Sequence, residues 1–566
     1  MKYIGPFFRI NTLTSDEIKY QLFHLSKESI KHIELQSRCG ILISNKVLRK
    51  YLSTNDINIM KDFSPVICIY KKAHPLILKS GKHPFCWDSE TFKKESLPDS
   101  DALLTFCLIE LSKYYDFFEN VDDELFSLSR IYKALSRIQL EFYAKSMRNT
   151  EGLFIEKKNS GDNYVDSISL TDKSKTISFS YQAYMMCAYY DYYTASSDAD
   201  KEMYKNFALE ILNMLIDYRS SIYNESTDEC CAICYALNIF YGLSKDEKSK
   251  MLLLDLCDEL TDRLENKSSL LSSLSSSCFT VINLYKSYEN TGIYKFKDKA
   301  LNLSENLLSL YDRDTNIINL QVDKKDVKYT AIDLVLFMLT SLYYFKYDES
   351  NEDDFEHKKK LIPNMYKNLI INSGILTSFP EAPDLNSAER YKNFSYNAND
   401  LIEESKYKLS SIESPLSANM ASIFVKNVSY STKKCEFSHR KSSFDSSKNI
   451  FLFSMFIYLF ENDFTSYICG NVKPLPKQKV SMNRKTSKEY PLDNKIKENS
   501  QPSPKLAASL SPSVGTIDNN SPHNKYEKNN AHQQPATVKL VVNEKSADIN
   551  PQTLDKNKPS KKSSKK

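Results

Sequence analysis

The chain has 566 residues, 41% hydrophobic and 26% charged, with a formal net charge of +4. Only ten are glycine, about 2% against the roughly 7% of average proteins, which disfavours all-β folds built on tight turns and glycine-rich phosphate loops and leaves helices as the default. The two most apolar runs, 334–345 and 450–460, fall well short of the ~20 residues a bilayer span needs, which argues against a membrane anchor.

In chain order, Met1-Lys2-Tyr3-Ile4-Gly5-Pro6 has no basic segment followed by an apolar run, so no secretory signal is expected. Twelve unevenly spaced cysteines, mostly in apolar stretches such as Phe106-Cys107-Leu108, read as buried thiols and point to a reducing, cytoplasmic location. Residues 1–97 read as a small mixed α/β unit. It has a polar helix over 15–29, two β-branched or aromatic runs at Gly40–Ser44 and Pro65–Tyr70, the only tryptophan, Trp87, and four histidines, His24, His32, His74 and His83. His74, His83 and Cys86 could approach one metal ion, but their spacing matches no four-ligand site and structural roles are expected for each. No metal or cofactor is implied.

From Asp101 onward apolar residues recur at helical spacing, as in Met203, Phe207, Ile211, Leu215 and Tyr218, over an expected helical-hairpin domain of residues 98–470. Ser226-x-x-Glu229 and Ser244-x-x-Glu247 fit the capping-box pattern at helix starts. The periodicity predicts helices at 101–117, 122–147, 177–195, 199–222, 227–241, 245–266, 268–290, 293–311, 327–347, 352–372, 414–427 and 447–462. The first ten fall into antiparallel pairs with short internal connections. Cys230-Cys231-Ala232-Ile233-Cys234 contains a C-x-x-C inside one of these helices with no second pair to complete a zinc site, so packed core thiols are expected.

The longest connections, about 148–176, 312–326 and 373–413, lie between pairs, and two open alike, Glu151-Gly152-Leu153-Phe154 and Ser373-Gly374-Ile375-Leu376. This alternation resembles the (α/α)6 toroid, the six-hairpin architecture of many glycosidases, lyases and sugar epimerases. The resemblance spans about 101–462, is architectural and carries no family motif; the alternative is an open α-solenoid. It implies that any activity sits where the long loops converge on one mouth, with two carboxylates for glycoside chemistry. Loop candidates are Glu151, Glu156, Asp162, Asp314, Asp323 and Glu389. The catalytic pair favoured here is Glu381 and Asp384, because flanking prolines stiffen Phe379–Asp384. Tyr181 and Gln182, on a tyrosine-rich helix expected to line the ring, are the binding candidates.

No P-loop, G-x-G-x-x-G, H-E-x-x-H or G-x-S-x-G pattern occurs. Residues 471–566 form a Lys/Ser/Pro/Asn-rich tail whose composition predicts disorder. The tail holds 19 Lys/Arg against 8 Asp/Glu, leaving 57 against 64 for residues 1–470. Its lysines lack interleaved aromatics and arginines, so sequence-specific nucleic-acid binding is not expected. Contact with an unknown protein or an anionic polymer is expected instead, with Val538, Lys539, Leu540 and Val541 in a strand-forming island that could add to a partner's sheet edge. The resulting expectation is a non-catalytic interaction or scaffold protein with a helical body and a tethering tail. The alternative is a glycan-active hydrolase, lyase or epimerase using carboxylates at the ring's mouth.

Overall fold

A computed structural model describes residues 13–79, 84–174, 177–264, 273–320, 326–348, 355–384, 386–390, 419–439 and 442–469. Twelve helices of eleven residues or more stand among them: α1 (Ser15–Leu35), α2 (Pro98–Asp116), α3 (Asp123–Ser146), α4 (Phe179–Ala195), α5 (Glu202–Asp217), α6 (Thr227–Ser244), α7 (Glu247–Leu264), α8 (Leu274–Thr291), α9 (Tyr294–Leu308), α10 (Ala331–Tyr347), α11 (Phe355–Met365) and α12 (Ser446–Cys469). The even-numbered helices form an inner circle in which each packs on the next, and α12 returns to pack on α2. Outside them α3 lies on α2, α5 on α4, α7 on α6, α9 on α8, α11 on α10, and α1 on α12. The ring closes, so the fold is a mainly α toroid of six helical pairs and the open-solenoid alternative falls away.

Position in the ring follows from how far the apolar residues reach round each helix. Inner α6 buries every residue from Ile233 to Tyr241, and inner α10 every residue from Leu334 to Tyr343, as a helix surrounded by protein requires. Outer α9 buries only Phe296, Ala300, Ser304 and Leu307, a single stripe at i, i+4, i+8 and i+11.

The sixth pair differs from the expected one. The run 419–427 lies within an expected helix, yet the Thr377 N–H donates to the Ile423 carbonyl at 3.0 Å, the Ile423 N–H to Thr377 Oγ1 at 3.1 Å and the Val425 N–H to the Ile375 carbonyl at 2.8 Å, so the segment is extended. The β-branched and aromatic run Ile423-Phe424-Val425 fits that pleated pairing better than a helix. The missing outer helix is α1, the helix expected in the separate amino-terminal unit. It opens with a capping box, Glu17 N–H to Thr14 Oγ1 at 3.2 Å and Thr14 N–H to Glu17 Oε2 at 2.7 Å, and runs on to Leu35. Ile18, Leu22, Leu25 and Ile33 are buried along it.

Short strands lie in the connections between pairs. β1 (Gly40–Leu42) pairs antiparallel with β2 (Val66–Ile69), and β3 (Lys72–Ala73) with the late β12 (Phe444–Asp445). β4 (Glu95–Ser96), β5 (Lys157–Asn159) and β6 (Leu170–Asp172) form a sheet; so do β9 (Asp326–Thr330), β10 (Asn427–Ser431) and β11 (Glu436–His439), with β7 (Tyr311–Asp312) and β8 (Ile317–Ile318) a small hairpin. No helix among the described residues is long and apolar enough to cross a membrane. The expected tail, with Val538–Val541, lies outside the described residues.

Candidate functional site at the mouth of the ring

Because the inner helices alternate with outer ones, all six inner helices start at the same end, and their first turns surround one cavity of about 280 Å³. The upper tier of its lining is Asp99, Ser180, Asp228, Ser275, Ile332 and Ser447, one residue from each inner helix. The lower tier lies four residues further along each: Leu103, Tyr184, Ala232, Phe279, Leu336 and Phe451. Four residues is one helical turn, so each pair stands one above the other on the same face. The result is a polar rim, broken only by Ile332, over an apolar and aromatic floor, with Lys448 also on the rim.

Helix starts leave backbone N–H groups unpaired and carry a partial positive charge, which explains why this rim gathers acids and hydroxyls. Ser226 caps α6 as its sequence predicts, accepting the Glu229 N–H at 3.3 Å. The Glu229 carboxylate, however, reaches across to α4, where it accepts from Ser178 Oγ at 2.8 Å, Ser180 N–H at 2.8 Å and Ser180 Oγ at 2.9 Å. Asp228 accepts from Ser276 Oγ on α8. Asp99 accepts from Ser447 Oγ on α12 at 2.5 Å and from the Ser100 N–H at 2.6 Å. The helix starts are thus laced to their neighbours by acid–hydroxyl bonds. At the other expected capping box, α7 is capped by Asp246, which accepts the Ser249 N–H at 2.9 Å.

Two groups, one on the rim and one beside it, are electrostatically perturbed. Burial within the ring pushes the Asp99 carboxyl above its ordinary range, against the hydrogen bonds from Ser447 and Ser100. Burial, with the nearby charges of Asp99 and Glu156, raises the Tyr181 phenol. Tyr181 Oη donates to Glu156 Oε1 at 3.2 Å, and Glu156 Oε2 lies 3.8 Å from Lys71 Nζ. Burial favours the protonated form of Asp99, the form that can give a proton to a bound oxygen; the Asp228 carboxylate can accept one, and Lys448 has no carboxylate within 4 Å among the described residues.

The expected site residues scatter. Tyr181 lies in the first turn of α4, beside the mouth. Gln182 is buried and clamps the loop before α4, its Nε2 donating to Phe154 O at 2.8 Å and its Oε1 accepting the Phe154 N–H at 3.0 Å. Glu381 and Asp384 are exposed and do not line the mouth cavity. The Glu381 carbonyl instead lies 2.8 Å from His24 Nε2 on α1. Downstream, Glu389 is buried against Lys27 Nζ at 2.7 Å and takes a bond from Tyr114 Oη at 2.8 Å. Tyr114 is fifteen residues along α2 from Asp99, about 22 Å of helix, so this segment descends toward the opposite end of the ring. Of the other loop acids, Glu151 and Asp314 are exposed, Asp162 lines a different cavity, and Asp323 lies outside the described residues. Cys230, Cys231 and Cys234 are buried free thiols, and no group of three or more metal-capable side chains occurs among the described residues. Asp99, Ser180, Asp228 and Lys448 escaped the sequence reading. The signal that would have found them is the repeat of a polar first-turn residue with an apolar or aromatic one four positions on.

No family model matches the chain, and no curated protein does. Among solved structures it is similar to cellobiose 2-epimerase from Bacillus thermoamylovorans, at 9% identity and a TM-score of 0.42 over 77% of this chain and 99% of that one. A sugar epimerase from a ruminal bacterium gives 11% and 0.38 over 61% and 87%. The GH76 α-mannanase of Bacteroides thetaiotaomicron gives 10% and 0.35 over 66% and 90%. At such identity the likeness is one of fold and extends no further.

Proposed function

We propose that the ring's mouth binds a saccharide and that the chain is glycan-active there, with Asp99 as proton donor and Asp228 as proton acceptor. The observation that carries this reading is the two-tier lining. A polar rim supplies hydroxyl, carboxyl and ammonium partners for sugar hydroxyls, while Tyr184, Phe279 and Phe451 supply an apolar floor for a ring's C–H face. Asp99 and Asp228 stand on helices two places apart round the ring, so a ligand in the cavity would lie between them, as acid–base chemistry on a glycoside needs.

The test is to incubate the full chain with a panel of oligosaccharides, following binding by calorimetry and turnover by product analysis. Phe451→Ala is expected to weaken binding, and Asp99→Asn to keep binding while losing turnover. Absence of binding across the panel, or Asp99→Asn turning over like the native chain, counts against the reading.

A second reading is a non-catalytic interaction or scaffold protein tethered by its cationic tail. It is favoured by the bonds that Asp99, Asp228 and Glu229 accept at helix starts, which account for the acids there without a ligand. Saccharide binding that survives Asp99→Asn with no turnover in either form would support it.

A further inference from the structure

A second cavity, about 500 Å³, lies away from the mouth lining, between the loop after α1, the hairpin around Trp87 and the loop at Asp162–Tyr164. Two cations face it without a carboxylate partner. Arg38 Nη2 donates to the Tyr164 hydroxyl at 3.0 Å, and Lys94 Nζ to the Gly161 carbonyl at 3.4 Å; neither has a carboxylate within 4 Å among the described residues. Arg38 is held at φ 57°, a conformation an L-residue adopts at a cost, which sets its side chain beside Tyr164. Half-buried Phe92 and exposed Tyr164 give the cavity aromatic walls. Two acids also line it: Asp88, whose Oδ1 accepts the Glu90 N–H at 3.0 Å, and the exposed Asp162.

We infer that this cavity is a binding site for an acidic monosaccharide, a hexuronate-like ring bearing one carboxylate. Arg38 and Lys94 take the carboxylate, a planar group that a guanidinium matches with paired donors. The aromatic walls take the ring. Asp88 and Asp162 accept bonds from the ring hydroxyls, and the same two charges repel a compact dianion such as phosphate, which makes a singly charged sugar acid the better occupant. The inference does not depend on the mouth reading, because none of these residues lines the mouth cavity.

The chain carries its own reporter. Trp87 is the only tryptophan, lines this cavity, and stacks on His32 with ring centroids 5.8 Å apart, its Nε1 donating to His32 Nε2 at 3.0 Å. Burial lowers the His32 pKa to about 4, so the imidazole stays neutral near pH 7 and does not confuse the signal. The full chain is titrated at pH 7 with glucuronate, glucose and inorganic phosphate while Trp87 emission is followed. A saturable change with glucuronate, little with glucose, and a weaker one with phosphate is the expected result. Arg38→Asn, whose side chain tolerates the left-handed conformation, and Lys94→Met are each expected to weaken the glucuronate response at least about tenfold. Arg38→Asn should leave saccharide turnover at the mouth as in the native chain, which separates the two sites. A phosphate response equal to or stronger than that of glucuronate, a flat emission with glucuronate, or native-like titration of both variants would overturn the assignment.

Discussion

Glu229, in the first turn of α6, caps not its own helix but the neighbouring α4, accepting from the Ser180 N–H at 2.8 Å and Ser180 Oγ at 2.9 Å. One carboxylate therefore satisfies a free donor of a helix start and fixes the spacing of two inner helices at the mouth. Glu229→Ala is expected to destabilise the fold by about 1–2 kcal/mol. The thermal midpoint should fall by about 1–2 °C. Glu229→Gln, which keeps an acceptor oxygen, should recover part of the loss. A melting curve followed by circular dichroism decides it, and an unchanged midpoint in the alanine variant would mean that the cap is energetically idle.

A pH dependence follows from two carboxyls buried close together. Burial pushes Asp101 up to about 7, against bonds from Ser96 Oγ at 2.5 Å and the Ile69 N–H at 2.9 Å. Glu34 is raised by burial, opposed by Gln139 Nε2 at 3.1 Å. In the unfolded chain an aspartate titrates near ~3.9. Folding thus favours the protonated Asp101: its contribution is fully present below about pH 4 and is lost as the pH rises through about 7. Asp101→Asn should gain on the native chain as pH increases. Urea midpoints at pH 4.5 and 8 read this directly, and an equal difference at both would refute it.

Two glycines separate close approach from backbone conformation. A Cβ at Gly40, where β1 meets β2, would stand 2.1 Å from the Cys68 carbonyl oxygen, a backbone atom that cannot swing aside. Gly40→Ala should cost about 3 kcal/mol or abolish folding. Gly292 ends α8 at φ +73° with nothing within 4 Å of an added Cβ. Gly292→Ala should cost only about 1 kcal/mol, through strain alone, and Gly292→Asn less. Chemical denaturation of the three variants would rank them, and Gly292→Ala proving the worse would contradict the geometry.

The thiols should differ sharply in reactivity. Cys435 is exposed, whereas Cys231 and Cys234 are buried and burial raises both thiols, Cys231 to about 12. Cys234 Sγ and Cys257 Sγ share a thiol hydrogen bond at 3.7 Å and form no disulfide. Among cysteines with described side chains, iodoacetamide should label Cys435 first and the C-x-x-C thiols only after denaturation, as peptide mass mapping would reveal. Rapid native labelling at Cys231 or Cys234 would reopen a redox role.

Much of the ring was legible because its signals are local. Eleven of the twelve helices expected from Asp101 onward stand where periodicity puts them, give or take several residues at their ends, since each must bury a face whose spacing is written in consecutive positions. The cap at Ser226 was legible for the same reason. The sixth pair was not: whether the run 419–427 coils or pairs as a strand depends on Thr377 and Ile375, more than forty residues earlier, and on α1 occupying the outer position beside α12.

The candidate site divides the same way. Sequence alone determined the helical class, the pairing of helices, the long connections and the charge of the tail, all of which follow from composition and short-range periodicity. Only the tertiary structure decided that Asp99, Ser180, Asp228, Ser275 and Ser447 share one rim, and that Glu381 and Asp384 lie elsewhere. The reason is physical: closing a ring brings first turns up to 349 positions apart into one cavity, from Asp99 to Lys448, and no local preference of the chain encodes a distance of that kind.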